Sequence, residues 1–495
     1  MGYMIDIKPN SEIISEIKSF QEKDSIENRL TNIGVEQRNH LIEEWKNNGS
    51  KGKKPNFISP YNCACILMKF IDFILFDDEE NTKLAMYQEK KGIYTQNISV
   101  IKRTISYLEP CLNSNKADDV IYHIRNKAKI KKLTNSPNLI PVNNGIFNRK
   151  SKKLEPFTSE YVFTSKICTN YVENAELCSI DNWNFDSWLD EIACHDIEVY
   201  TLLWQVINDC LNGNYTRKKA IFLVGDGNNG KGTFQTLLSN LIGFDNVASL
   251  KVNEFDHEFK LSILEGKTLV IGDDVPVGIN IEDSSNFNSV VTGDAVLVNP
   301  KKKQPYRAIY RCTVIQSTNG MPYFKNKTGG TNRRLLIVPF NADFNGDLER
   351  TEIKDTYLKD NKVLEYVLHK AINLDFKNFL IPKVSKDMLE EFKQDNDPVL
   401  DFKIVEFENW KTDKVPVSIV YQKYKLFCDK SGYKPLSERK FFKAFERYLS
   451  KNWRKKSVRY YSVKELQNKI GYFEPTLLPH GELKQSYINE NLKAV

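Results

Sequence analysis

"KKAIFLVGDGNNGKGTFQTLLSNLIG" spans residues 218 to 243. An apolar run from Ile221 to Val224 gives way to glycines, and then apolar residues return at helical spacing. That reads as strand, loop, helix. Glycines let the loop backbone turn its N–H groups toward one point. The N-terminus of the following helix faces the same point with its unpaired amides. The pattern over Gly225 to Lys231 is G-x-x-x-x-G-K, a cradle for phosphate.

The candidate phosphate-binding residues are Gly225, Asn229, Gly230, Lys231, Gly232 and Thr233. Lys231 would reach the β- and γ-phosphates of a nucleotide. Asn228 and Asn229 tolerate the positive φ that such loops use. Gly232 stands where Ser or Thr is usual and has no oxygen for Mg²⁺. Thr233 has one, so Thr233 is the candidate metal ligand. A plain glycine-rich turn is the alternative.

Three further stretches follow in order. "LVIGDDV" ends an apolar run in Asp273 and Asp274. One carboxylate can enter a magnesium shell and the next can orient or deprotonate a water. Asp273 is expected toward the metal and Asp274 toward the water, against a structural acidic turn. "TVIQSTNG" ends another strand at Asn319, whose amide can bond the γ-phosphate or that water. "TNRRLLIVPF" carries Arg333 and Arg334 just before a strand, as an arginine finger or as a surface pair. Strands alternating with helices argue a mostly parallel sheet. The set predicts a magnesium-dependent ATPase.

"TGDAVLVNPKKKQPYRAIYR" reads as a hairpin, Ala295–Val298 with Arg307–Tyr310, tipped by Lys301, Lys302 and Lys303. Lysines there would contact phosphates without reading base sequence. The bland reading is an exposed charged turn. From Lys411 to Ile470 there are 17 Lys and Arg against 5 Asp and Glu, a net of +12. The whole chain carries +7, so the remainder is −5, and the asymmetry points to a polyanion-binding module near the C-terminus. In that module Tyr421, Tyr424, Phe427 and Cys428 share one helical face. Phe441, Phe442, Phe445 and Leu449 line a second helix, with Ser437 as its N-cap. The pattern is winged-helix-like. Arg439, Lys440 and Lys443 would face outward from a recognition helix, and Arg454, Lys455, Lys456 and Arg459 would form a wing. The aromatics are assigned to the core and the basic residues to DNA.

The chain has 495 residues, 41% hydrophobic and 27% charged, enough for several cores. No apolar run is long enough to span a membrane, and the N-terminus lacks a signal peptide's apolar stretch, so a cytoplasmic protein is expected. Nine scattered cysteines, an odd number without zinc spacing, read as buried reduced thiols. Four regions are expected: 1–135 mostly helical, 136–180 β-rich, 181–385 the motor with a helical collar, and 386–495 a linker helix and winged helix. "CACILMKFIDFILF" (63–76) reads as one buried helix, and Asn144-Gly145 as a turn.

In this order the motifs resemble those of superfamily 3 AAA+ replicative helicases, specifically the poxvirus-type primase–helicases and their phage and pathogenicity-island relatives. "FLVGDGNNGKGTFQTLL" matches that group's phosphate loop, Gly232 included. "VTGDAVLVNPKKKQP" resembles its pore hairpin, "QSTN" its third motif, and Arg333 its finger. The second motif often ends in Glu where this chain has Asp274. The likeness runs from about residue 60 to 465. The resemblance implies a multidomain α/β protein with a P-loop AAA+ core, ATP and Mg²⁺ as cofactors, a hexameric ring and 3′-to-5′ movement on single-stranded or forked DNA. It further implies a role in replicating a mobile element, with origin duplex as a further ligand. Only about 60 residues precede the similar region, so no primase activity is expected. Two rival readings are a nucleotide-switched DNA-binding initiator that does not unwind, and a phosphotransferase with a basic tail.

Overall fold

The computed structural model describes residues 25–490, apart from 79–81, 258, 302–303, 326–328 and 347–348. At its centre five short apolar runs form a wholly parallel sheet. They are β1 (Ala220–Val224), β2 (Val247–Ser249), β3 (Leu269–Gly272), β6 (Thr313–Thr318) and β7 (Leu335–Pro339), in the order β2-β3-β6-β1-β7. Strand side chains alternate between faces, so each run feeds two cores. Ile221, Leu223, Ile315, Leu336 and Val338 face one core. They pack with residues of α1 (Ile197–Cys210), α2 (Lys231–Ile242) and α4 (Asn361–Ile372). Ala220, Phe222, Val270, Val314 and Ile337 face the other. That side holds α3 (Ser285–Thr292), the hairpin of β4 (Ala295–Val298) and β5 (Tyr306–Ile309), and Phe392 of α5 (Lys383–Asp395).

Strand β6 lies between β3 and β1. Gly272 is level with Gln316, and Val224 is level with Thr318. The segments after all three strands therefore leave the sheet together, at the carboxyl edge where open α/β sheets bind ligands.

The entrance edge is fixed by a buried ion pair. Arg217 donates to Asp209 Oδ1 at 2.7 Å and to Asn208 Oδ1 at 3.1 Å, both on α1. Thr313 Oγ1, at the start of β6, donates to Asp209 Oδ2 at 3.1 Å. The guanidinium stacks on Phe376, 4.1 Å from the ring centre. Burial pushes the Asp209 carboxyl above its ordinary pKa, with Arg217 pulling the other way.

The N-terminal region holds helices Ile26–Asn47, Pro60–Phe70, Ile98–Leu108 and Ser114–Arg125 around their own core. It also holds a four-stranded sheet the sequence reading did not anticipate. The apolar stretch 63–76 divides between them: a helix ends at Phe70, and Phe73–Leu75 is a strand. Ser59 caps that helix, and Ile71 is already extended. Phe73 and Ile74 pair with Met86 and Ala85, and Ile74 and Leu75 with Lys129 and Ile130, so tertiary pairing overrides the helical pattern.

Residues 139–155 form a three-stranded meander whose Ile140, Val142 and Phe147 join the core that also holds α1 and α2. Its first turn is Asn143–Asn144, one residue earlier than expected. Gly145 is already strand, where a Cβ would stand 2.6 Å from the Glu155 carbonyl. The hairpin's second strand likewise starts one residue early, at Tyr306.

The C-terminal module runs α6 (Pro398–Val405), β8 (Lys414–Pro416), α7 (Val417–Lys430), α8 (Glu438–Tyr448), β9 (Trp453–Arg459), α9 (Val463–Ile470) and β10 (Leu483–Asn489). Its sheet is antiparallel in the order β8-β10-β9. Tyr424 stacks on Phe441 at 4.2 Å and Phe441 on Phe445 at 5.1 Å, so the aromatics fill the core. Ser437 occupies the N-cap of α8 without a side-chain cap bond. All nine cysteines are free thiols, but only Cys63, Cys210, Cys312 and Cys428 are buried as expected, whereas Cys111, Cys168 and Cys194 are exposed; burial pushes Cys63 and Cys312 up to about 12. No described helix is long and apolar enough to cross a membrane.

Arg217→Met would leave Asp209 buried without its cation. It is expected to destabilise the protein by about 3–5 kcal/mol, read as a lowered urea midpoint. Thr313→Val, which removes one neutral donor, should cost about 1 kcal/mol in the same assay.

Candidate functional site

The loop after β1 is held from behind. A Cβ on Gly225 would stand 1.9 Å from the Phe340 carbonyl, so only glycine fits there. The buried Asn229 amide donates to the carbonyls of Asp226 and Phe340, each at 2.6 Å. Phe344 N donates to Asn228 O at 3.0 Å, and Asn228 Nδ2 to Asn345 Oδ1 at 2.6 Å. Asn228 and Gly230 take the left-handed backbone conformation, with φ of 51° and 88°. The segment following β7 thus grips the loop and leaves its inner side clear.

Lys231 opens α2 and curls over that inner side. Its Nζ donates to the carbonyls of Gly225 at 2.5 Å and Asp226 at 2.7 Å, and to Asn229 Oδ1 at 3.0 Å. Partial burial lowers the ammonium pKa, against the pull of Asp226, Asp273 and Asp274. The two aspartates after β3 are therefore close enough for their charge to act on Lys231.

Both aspartates are exposed beyond the sheet edge. Asp273 Oδ1 accepts from Ser317 Oγ at 2.7 Å, and the same hydroxyl accepts from Asp274 N at 2.9 Å. Asp274 sits at φ 52°, and Lys251 Nζ donates to its carbonyl at 2.9 Å. This fixes the backbone and leaves the Asp274 carboxylate without a partner among the described residues. Gly272 is needed because the buried Gln316 amide occupies the place of a Cβ, 2.1 Å away. Gln316 is held in turn by Val252 N at 2.7 Å and Leu250 O at 3.1 Å.

A cleft of about 880 Å³ opens over this edge, lined by the loop from Gly227 to Thr233 and by Asn319. Trp188 and Phe344 give it an apolar wall. Arg350 and Lys354, from the short helix Thr351–Asp355 and the residue before it, bring two further cations to its mouth. Lys354 Nζ lies 3.9 Å from where a Cβ on Gly232 would stand. No motif announces these two residues; the fold-back of the chain after β7 brings them in.

The cleft gathers glycine backbone, a helix N-terminus, three cations and an apolar wall; Glu191, Asp343, Glu349 and Asp355 also line it, whereas Asp273 and Asp274 do not. Thr233 and Asp273 offer the oxygens a magnesium ion takes from protein while keeping waters and phosphate oxygens.

Arg333 and Arg334 are not in the cleft. Arg334 O accepts from Ala220 N at 2.8 Å, at the start of β1. At about 3.3 Å per residue, the length of β1 puts the pair roughly 15 Å from the loop of the same chain. Arg333 is exposed, whereas Arg334 donates to Gly330 O and burial lowers its pKa.

Lys301 is exposed beyond β4, and Lys302 and Lys303 lie outside the described residues. Arg439, Lys440 and Lys443 are exposed on α8 without ion pairs among the described residues. The wing set is less free. Lys455 pairs with Glu446 of α8, while Arg454 and Lys456 share Glu490 at 3.4 and 3.1 Å. Arg459 is exposed at the end of β9.

Three family models match parts of the chain. The "D5 N terminal like" model covers residues 66–194 and the "Poxvirus D5 protein-like" model covers 394–477. Between them, residues 223–334 match a family of unknown function, DUF5906. The flanking matches relate the chain to the poxvirus D5-type proteins. Among solved structures, two apo forms of the NrS-1 C-terminal region are similar, at 13% and 14% identity. Each comparison covers 87% of this chain and 99% of that one, with TM-scores of 0.49 and 0.48.

If Lys354 meets the phosphates, Lys354→Ala weakens binding of a fluorescent ATP analogue by about ten-fold, as for loss of one charge-assisted bond. Lys354→Arg should keep most of the affinity. A titration with no change in the alanine variant would place Lys354 outside the phosphate shell.

Proposed function

We propose that the chain is an ATP-dependent DNA helicase with an AAA+ core of the superfamily 3 kind, serving replication of a mobile element. The observation that carries this reading is a division of parts. The loop with Lys231, the aspartates and Asn319 gather at one edge of the sheet, while Arg333 stands at the other. A finger at the far edge is of use only to the neighbouring copy's nucleotide, so the reading requires a ring, six-membered by resemblance.

In that reading Lys231 and the loop amides hold the β- and γ-phosphates. Thr233 and Asp273 hold the magnesium ion, whose charge offsets that developing on the phosphates. Asp274 takes or orients the water's proton, and Asn319 holds the water or the γ-phosphate. Ser317 keeps Asp273 and the backbone of Asp274 in fixed relation. Arg333 enters from the next subunit, with Arg334 tied to its own backbone as support. Hydrolysis at the interface then moves the hairpins with Lys301, Lys302 and Lys303 along single-stranded DNA, 3′ to 5′.

The relation to D5-type proteins supports a replication enzyme acting on nucleic acid. The C-terminal module supports a DNA-binding role by its topology, helix, strand, two helices and two strands, which suits a winged helix with α9 inserted in the wing. Arg439, Lys440, Lys443 and Arg459 are its free phosphate contacts. Arg454, Lys455 and Lys456 must first leave their glutamates. The same module favours the second reading, a nucleotide-switched initiator that binds DNA without unwinding it.

Labelled forks with a 3′ or a 5′ tail test the reading. ATP-dependent displacement from the 3′ tail, absent in Lys231→Ala, is the expected outcome. ATP turnover with no displacement on either fork would favour the initiator. The finger has its own test. Lys231→Ala and Arg333→Ala should each be inactive alone. Mixed in equal amounts they should recover about a quarter of ATP turnover, because one interface in four pairs an intact loop with an intact finger.

A further inference from the structure

The N-terminal unit presents a face that neither the nucleotide cleft nor the basic C-terminal module accounts for. It is built on helices Pro60–Phe70 and Ser114–Arg125, which lie side by side. Their inner residues, Cys63, Ile66, Val120 and Ile124 among them, are buried. Their outer residues include aromatics left in solvent: Tyr61 is 46% exposed and Tyr122 62%. The two tyrosines flank His123, each ring centre 5.5 Å from the imidazole. Lys127 Nζ lies 4.0 Å from the Tyr61 ring centre, and Lys116 Nζ lies 3.4 Å from that of Phe57.

Two physical facts decide what this face suits. First, an exposed tyrosine retains water-accessible ring faces that a folded core would cover. Second, the charge around the rings is one-sided. Residues 114–132 hold six Lys and Arg against Asp118 and Asp119, a net of +4. Asp118 is already paired with Lys102, at 2.7 Å. Among the described residues no carboxylate pairs with Lys116, Lys127, Lys129 or Lys132. A protein partner of ordinary composition would leave these cations poorly matched. A single-stranded nucleic acid supplies both complements: flat bases for the rings and a phosphate on every nucleotide for the lysines.

We infer that this face, centred on Tyr61, Tyr122 and His123 with Lys116 and Lys127 on the same two-helix unit, binds single-stranded nucleic acid by stacking and phosphate contact. It reads no sequence, since every base has a π-face. It is a strand-binding surface separate from the hairpin and from the C-terminal module.

The test uses the full chain without nucleotide, so its outcome is separate from that of ATP hydrolysis. Wild type is cross-linked by light to an iodouridine-substituted oligothymidylate, and the attached peptides are mapped. Attachment at Tyr61, Tyr122 or His123 is expected. Attachment only on the C-terminal module and the 299–305 hairpin tip would overturn the inference.

Anisotropy titrations of the same oligonucleotide then compare variants matched in thermal midpoint. Tyr61→Leu with Tyr122→Leu should weaken binding by about ten-fold or more at an unchanged salt slope. Lys116→Ala with Lys127→Ala should reduce that slope by about 0.7 per lysine. Unchanged affinity in both pairs overturns the assignment. So does a change confined to oligomeric state, which would make the face a contact between copies.

Discussion

The hydrogen-bonded register of one strand holds the site together. Strand β6 pairs with β3 on one side and β1 on the other, and neither pairing can slip by one residue without turning apolar side chains out of both cores. Because Gly272 is level with Gln316 and Val224 with Thr318, the aspartates, Asn319 and the glycine loop emerge together. Polar residues at the end of β6 convert that register into geometry. Gln316 fills the space a side chain at Gly272 would need, and Ser317 ties Asp273 to the backbone of Asp274.

The same sheet also sets a limit. A parallel strand has its two ends on opposite edges, so a residue before β7 cannot meet a ligand bound after β1. Arg333 stands at the edge opposite the glycine loop of its own chain, and in the proposed ring it would serve the neighbouring copy. The segment after β7 does the reverse. It returns over the loop, where Phe340 and Asn345 hold the backbone and Lys354 approaches Gly232. The missing hydroxyl at Gly232 therefore coincides with an open position that a distant lysine overlooks.

Much was legible early because it is local. The loop, the two aspartates, Asn319 and the hairpin each sit within a short run whose period and glycines declare its shape. The C-terminal aromatics were legible as core for the same reason: Tyr424, Phe441 and Phe445 repeat at helical spacing and do meet. Where pairing decided, the sequence misled. Residues 63–76 carry a helical pattern but change to strand after Phe70, because strands at 85–88 and 129–130 await Phe73–Leu75. The wing lysines look alike in sequence, yet Glu446 and Glu490 hold Lys455, Lys456 and Arg454, leaving Arg459 apart.

By itself the sequence determined four of the sheet's five strands, all but Val247–Ser249, together with the glycine loop and the identity of the acidic and amide residues. Those follow from side-chain period and from what glycine permits, both properties of neighbouring residues. Only the tertiary structure decided that Arg350 and Lys354 share the cleft, that Arg333 does not, and that Tyr61 and Tyr122 both meet His123 beside lysines with no carboxylate partner among the described residues. Each is a relation between segments far apart in the chain, set by the packing of apolar faces. No local pattern encodes it, because the energy that fixes it lies in the buried contacts between those segments and not within any one of them.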